Sequence, residues 1–105
     1  MGWATAFGSE YDVPKAIKRM VEIGMLKDMS FKNDSAPSFG YSDDEKDLIV
    51  RIWVEHPDEG KRELGGKRYA VSVEKGGASE DHFSTDSVTD VIHKWQEYMG
   101  QYVLI

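Results

Sequence analysis

The clearest hydrophobic rhythm in the chain has a period of two. Leu48, Val50, Ile52 and Val54 alternate with Ile49, Arg51, Trp53 and Glu55, which predicts a strand over 47–56 with one aliphatic face and one mixed face. Tyr69, Val71 and Val73 repeat the pattern in "KRYAVSVE", and the turn-rich "HPDEGKRELGG" joins the two runs, so they are expected to pair antiparallel. "KGGAS" reads as the next turn and "EDHFS" as a third strand of the same meander. "WATAF", residues 3–7, "MSFKND" and "SFGYS" read as shorter strands, the last two split by Ala36-Pro37.

Two stretches switch to a helical period. Val13, Ala16, Ile17, Met20 and Val21 recur before Gly24, with Asp12 placed to cap the first helix and Pro14 in its first turn. Val88, Val91, Ile92, Trp95 and Met99 form a narrower stripe after the cap-forming "STDS", and Gly100 is placed to end that second helix. The expected fold is α+β, one domain over 1–105, with two helices packed on one face of a largely antiparallel four- to five-stranded sheet. Two short helices can cover one sheet face but hardly two, so Ile49, Arg51 and Trp53 are expected on a face at least partly open.

Residues 32–47, "KNDSAPSFGYSDDEKD", carry no clear rhythm and read as a long loop. Asn33, Asp34 and Ser35 favour turns, Pro37 stiffens the stretch, and Phe31, Phe39 and Tyr41 are expected to anchor it to the core. Having no histidine or arginine, it is poorly equipped for catalysis and better suited to contact a partner.

Composition narrows the function by exclusion. Thirteen Lys and Arg against 19 Asp and Glu give a net charge of −6, which disfavours binding to phosphate backbones. No cysteine is present, so disulfides, thiolate nucleophiles and cysteine metal sites drop out, and a reducing cytoplasm is the expected location. The start has no signal-peptide pattern and no apolar run is long enough to span a bilayer.

Catalytic signatures are missing as well. There is no GxSxG, Walker A loop, GxGxxG or HExxH, and His56, His82 and His93 have no ligand spacing within one element, so no cofactor or metal is expected. "EHPDE" could hold a hard cation in principle, but such clusters at hairpin ends are ordinary turn chemistry. The four carboxylates Asp43, Asp44, Glu45 and Asp47 form either a solubilising turn or an acidic patch facing a basic partner.

The order of helix, meander and helix in a small acidic chain is similar in layout to phage-encoded inhibitors and toxin-immunity proteins, a layout shared by many unrelated small domains. The favoured reading is a non-enzymatic protein that binds another protein, such as an inhibitor or immunity factor. Its expected surface comprises Ile49, Arg51 and Trp53 with Asp43, Asp44, Glu45 and Asp47, and self-association through that face is the rival use. The alternative is a small-molecule-binding module or small enzyme, with a pocket between sheet and helices using His82, Tyr69 or Asp81.

Overall fold

The computed structural model describes residues 3, 7, 8, 11–31, 33–62 and 66–103. Among these, helix α1 (Lys15–Glu22) precedes and helix α2 (Val88–Tyr102) follows a sheet of β1 (Lys27–Asp28), β2 (Ser38–Asp43), β3 (Leu48–Val54), β4 (Tyr69–Lys75) and β5 (Ala78–Thr85). The five strands lie in chain order and every neighbouring pair is antiparallel, so the α+β meander expected from the hydrophobic rhythm is present.

The alternation in β3 decides which side chains are buried. Antiparallel partners point the same way, so the register Phe39↔Ile52↔Val71↔Phe83 puts these residues on one face with Val50 and Val73. Val50, Ile52 and Val54 are 0% exposed, and they share one core with Ile17 and Met20 of α1 and Val91, Trp95 and Tyr98 of α2. Trp95 adds a polar tie: its indole Nε1 donates to the Val50 carbonyl at 3.2 Å.

The ends of the helices differ in part from expectation. Ser87 caps α2 by accepting from the Asp90 amide at 3.2 Å, but the helix runs past Gly100 to Tyr102, because Gly100 sits in open space with a right-handed backbone. At α1 the residue before the helix is Pro14 and no side chain caps it, whereas Asp12 adopts φ of 49° and so takes no capping position. Of the strand expected over 3–7, Trp3 and Phe7 are described and lie outside any strand, while the rest falls outside the described residues.

Part of the stretch 32–47 is strand, as the reading of "SFGYS" expected, and the rest of its described residues are mainly turn and bend. Residues 38–43 form β2 and pair along their whole length with β3. The signal was weak because Ser38, Gly40 and Ser42 occupy one face of the strand, leaving only Phe39 and Tyr41 to mark its period. Phe39 is buried and Tyr41 packs partly against the core, but Phe31 is 55% exposed and anchors nothing.

Tyr102 ties the end of α2 to the sheet by donating to Asp81 Oδ2 at 2.5 Å, and this bond pushes ionisation of the phenol up to about 12. The raised value means the folded state favours the protonated phenol. Its contribution is complete below roughly pH 10, the ordinary tyrosine value, and is lost as the pH rises through about 12. Denaturant midpoints across that interval are expected to fall for the parent and to fall less for Tyr102→Phe.

Candidate functional site

The outer row of β3 is held in one conformation by its neighbours. Trp53 lies opposite Ala70 and Arg51 opposite Ser72, with Gly40 on the other side of Arg51. The small residue at 70 leaves room for the indole to lean along β4, where its Nε1 donates to Ser72 Oγ at 2.9 Å. The Arg51 guanidinium sits 4.2 Å from the centre of the Trp53 ring and its Nη2 donates to Glu74 Oε1 at 3.1 Å. Ring, cation and carboxylate therefore form a fixed stack, the geometry in which a cation–π contact and a charge-assisted hydrogen bond reinforce each other.

Burial separates the two rows of the strand. Ile49 and Trp53 remain partly exposed and the Arg51 side chain keeps 16% of its accessible surface. Arg51 Nε is buried without a hydrogen-bond partner among the described residues. Glu55, expected to continue this row, lies beyond the end of β3 and is only 1% exposed.

The acidic residues that follow β2 form a tight turn. Asp43 Oδ1 accepts from the amides of Glu45 at 3.0 Å and Lys46 at 3.3 Å, so this carboxylate shapes the turn. Asp47 adopts φ of 50°, and its carbonyl accepts from the Gly76 amide at 2.9 Å, docking the turn on the β4–β5 hairpin. Asp44, Glu45 and Asp47 are exposed. Ser42 pairs with Ile49, so the turn begins one residue beyond the end of the Ile49, Arg51, Trp53 row. The acidic turn runs directly into β3 in the chain, and the pairing of Ser42 with Ile49 keeps the two patches contiguous in the fold.

The basic hairpin after β3 is used largely from within. Arg62 donates to the carbonyls of His56, Pro57 and Gly66, and Arg68 donates to those of Glu55, Tyr11 and Asp12. Burial lowers the Arg68 pKa, the cost of placing that cation where it ties the segment before α1 to the sheet. Lys61 and Lys67 are left exposed, too few to make a phosphate-binding track. In "EHPDE", His56 Nδ1 accepts from the Asp58 amide at 2.9 Å and Asp58 Oδ1 accepts from the Gly60 amide at 3.0 Å, which is turn chemistry. No three His, Asp or Glu among the described residues converge as metal ligands do.

His82, Tyr69 and Asp81 do not form a pocket together. His82 is opposite Ser72 on the Arg51 side of the sheet, whereas Tyr69 is buried opposite Val54 and Thr85, and Asp81 is taken up by Tyr102. No helix among the described residues is long and apolar enough to cross a membrane. The chain matches no protein family, no curated protein and no solved structure. Sequence reasoning places Trp53 beside Ala70 and Ser72 of the paired strand, which the register bears out, but it missed the Ser72 hydrogen bond and Glu74 as supports of the stack. The signal was available: once "LIVRIWV" and "KRYAVSVE" pair antiparallel, Ser72 is diagonal to Trp53 and Glu74 is diagonal to Arg51.

Proposed function

We propose that the protein acts without catalysis, by binding another protein through the outer row of β3 and the adjoining acidic turn, with both helices covering the opposite, aliphatic face. One observation carries the reading: the Arg51–Trp53 stack is partly exposed yet already locked by Ser72 and Glu74. Tryptophan and arginine dominate interface energetics, and a side chain fixed beforehand loses little conformational entropy on binding. Exposed Asp44, Glu45 and Asp47 at the end of the row suit a partner with a basic surface, and a stoichiometric inhibitor or immunity factor is the kind of protein this describes.

Replacing Trp53 by alanine is expected to leave the circular dichroism spectrum and cooperative unfolding intact while weakening the partner complex at least tenfold, the scale of an interface hot spot. Sedimentation equilibrium of the parent and variant distinguishes the rival use: a dimer that Trp53→Ala dissolves identifies the face as a self-association surface. The double reversal Asp44→Lys with Glu45→Lys is expected to slow association and flatten its dependence on salt, with folding unchanged. An unaltered association rate would assign the turn to solubility alone.

A further inference from the structure

A second surface lies between α1 and the β1–β2 edge of the sheet. Trp3, Lys18, Val21, Glu22, Asp28 and Phe39 line a partly open cavity of about 230 Å³. Phe39 is paired with Ile52, on the aliphatic side of the sheet, so this cavity does not share the face that carries Arg51. It is smaller than the pockets that enclose whole drug-sized ligands, and its scale suits a single side chain.

The lining selects for positive charge. Among the described residues of the lining, Trp3 and Phe39 are aromatic, Phe39 with almost no exposed surface, and the carboxylates Glu22 and Asp28 outnumber the cation Lys18. Asp28 is fixed as a wall, since its Oδ2 accepts from the Trp3 amide and its Oδ1 from the Ser30 amide, both at 3.0 Å. Glu22 is freer: its contact with Arg19 is a 3.5 Å pair between exposed side chains, which solvent screens. The chain already places a cation here, because Lys18 Nζ lies 5.6 Å from the centre of the Trp3 ring and makes no ion pair among the described residues. An exposed lysine on a helix exchanges readily with another cation that also brings a hydrogen-bonding fork.

We propose that this cavity receives an arginine side chain from a protein partner, with the guanidinium over Trp3, paired to Glu22 and Asp28, and Lys18 displaced. The net charge of −6 supports the same preference at long range. Lys18 acts as an internal competitor, so its removal strengthens binding.

N-acetyl-arginine amide is the probe, with its uncharged citrulline counterpart and N-acetyl-glutamate amide as controls, and the Trp3 indole N–H resonance reports occupancy. The arginine probe is expected to move that resonance saturably, and to bind roughly two- to fivefold tighter than the citrulline probe. Lys18→Ala is expected to tighten the arginine probe and Glu22→Gln to weaken it, each by a similar factor, while Trp53→Ala changes nothing. Both helix residues are exposed, so these variants fold. Equal midpoints for the arginine and citrulline probes, absence of saturation, or preferential binding of the glutamate probe with its loss in Lys18→Ala would each overturn the proposal. Because Trp53 is not involved, failure here leaves the reading of the β3 face standing, and the converse holds.

Discussion

Trp95→Ala is expected to lower the unfolding free energy by about 3–5 kcal/mol, enough to threaten a domain of this size. Trp95 is 4% exposed and sits in the middle of the buried row Val91, Trp95, Tyr98 of α2. The helix lies against β3, β4 and β5, so removing the indole opens a cavity where helix and sheet meet. Alanine also removes the donor to the Val50 carbonyl, a group buried in the central strand of the sheet. Trp95→Phe separates the two losses: it refills most of the volume without the N–H and should recover most of the stability, leaving a deficit of about 1 kcal/mol for the missing bond. Urea melts at neutral pH decide it. A loss below about 1 kcal/mol for Trp95→Ala would mean that the apolar stripe of α2 is not core.

How much of this could be read from the sequence depends on how strongly side chains mark their period. β3 and β4 were legible because branched aliphatic residues alternate there without interruption, and α2 because five apolar residues recur at helical spacing. β2 was legible as the short strand "SFGYS" but only faintly marked, because one of its faces consists of serine and glycine, while "MSFKND", also read as a strand, forms none among its described residues. Helix ends were harder. Gly100 has the right identity for a stop but lacks the left-handed backbone that makes glycine one, and Asp12 has the right identity for a cap but stands two residues before the residue that occupies the cap.

The candidate site was legible residue by residue but not as an assembly. The mixed face of β3 follows from strict alternation, so Ile49, Arg51 and Trp53 could be placed together without coordinates. Pairing the two strands also set Ser72 beside Trp53, but Glu74 and the hydrogen bonds that lock the stack depend on the exact register and side-chain geometry. The same holds for the acidic cluster, where composition counts four equivalent carboxylates but hydrogen bonding divides them. Asp43 is consumed in shaping the turn, and Asp44 and Glu45 are left to face solvent. The cavity beside α1 was out of reach because it joins Trp3 to Asp28 and Phe39 across long sequence separations.

Gly40→Ala is expected to cost about 3 kcal/mol or more, though it adds a single methyl group. A Cβ at residue 40 would stand 2.2 Å from the Val50 carbonyl oxygen, 2.6 Å from Arg51 Cα and 2.7 Å from Arg51 Cβ. The first two are backbone atoms of the paired strand, so no rotamer change relieves the overlap and β2 must move away from β3. Gly40 also pairs with Lys27, so the displacement reaches β1. Gly100→Ala is the matched control. Nothing lies within 4 Å of a Cβ at residue 100 and the backbone there is helical, so the identical substitution should stabilise by up to about 1 kcal/mol. Opposite signs from one chemical change, read by urea melts, would establish that close strand approach and not glycine entropy sets the requirement at 40. Because Gly40 lies directly opposite Arg51, a Gly40→Ala protein that still folds should also loosen the Arg51–Trp53 stack, visible as a shift of the Trp53 indole N–H resonance. An unperturbed Trp53 signal with full stability would show that β2 and β3 are not held at this separation.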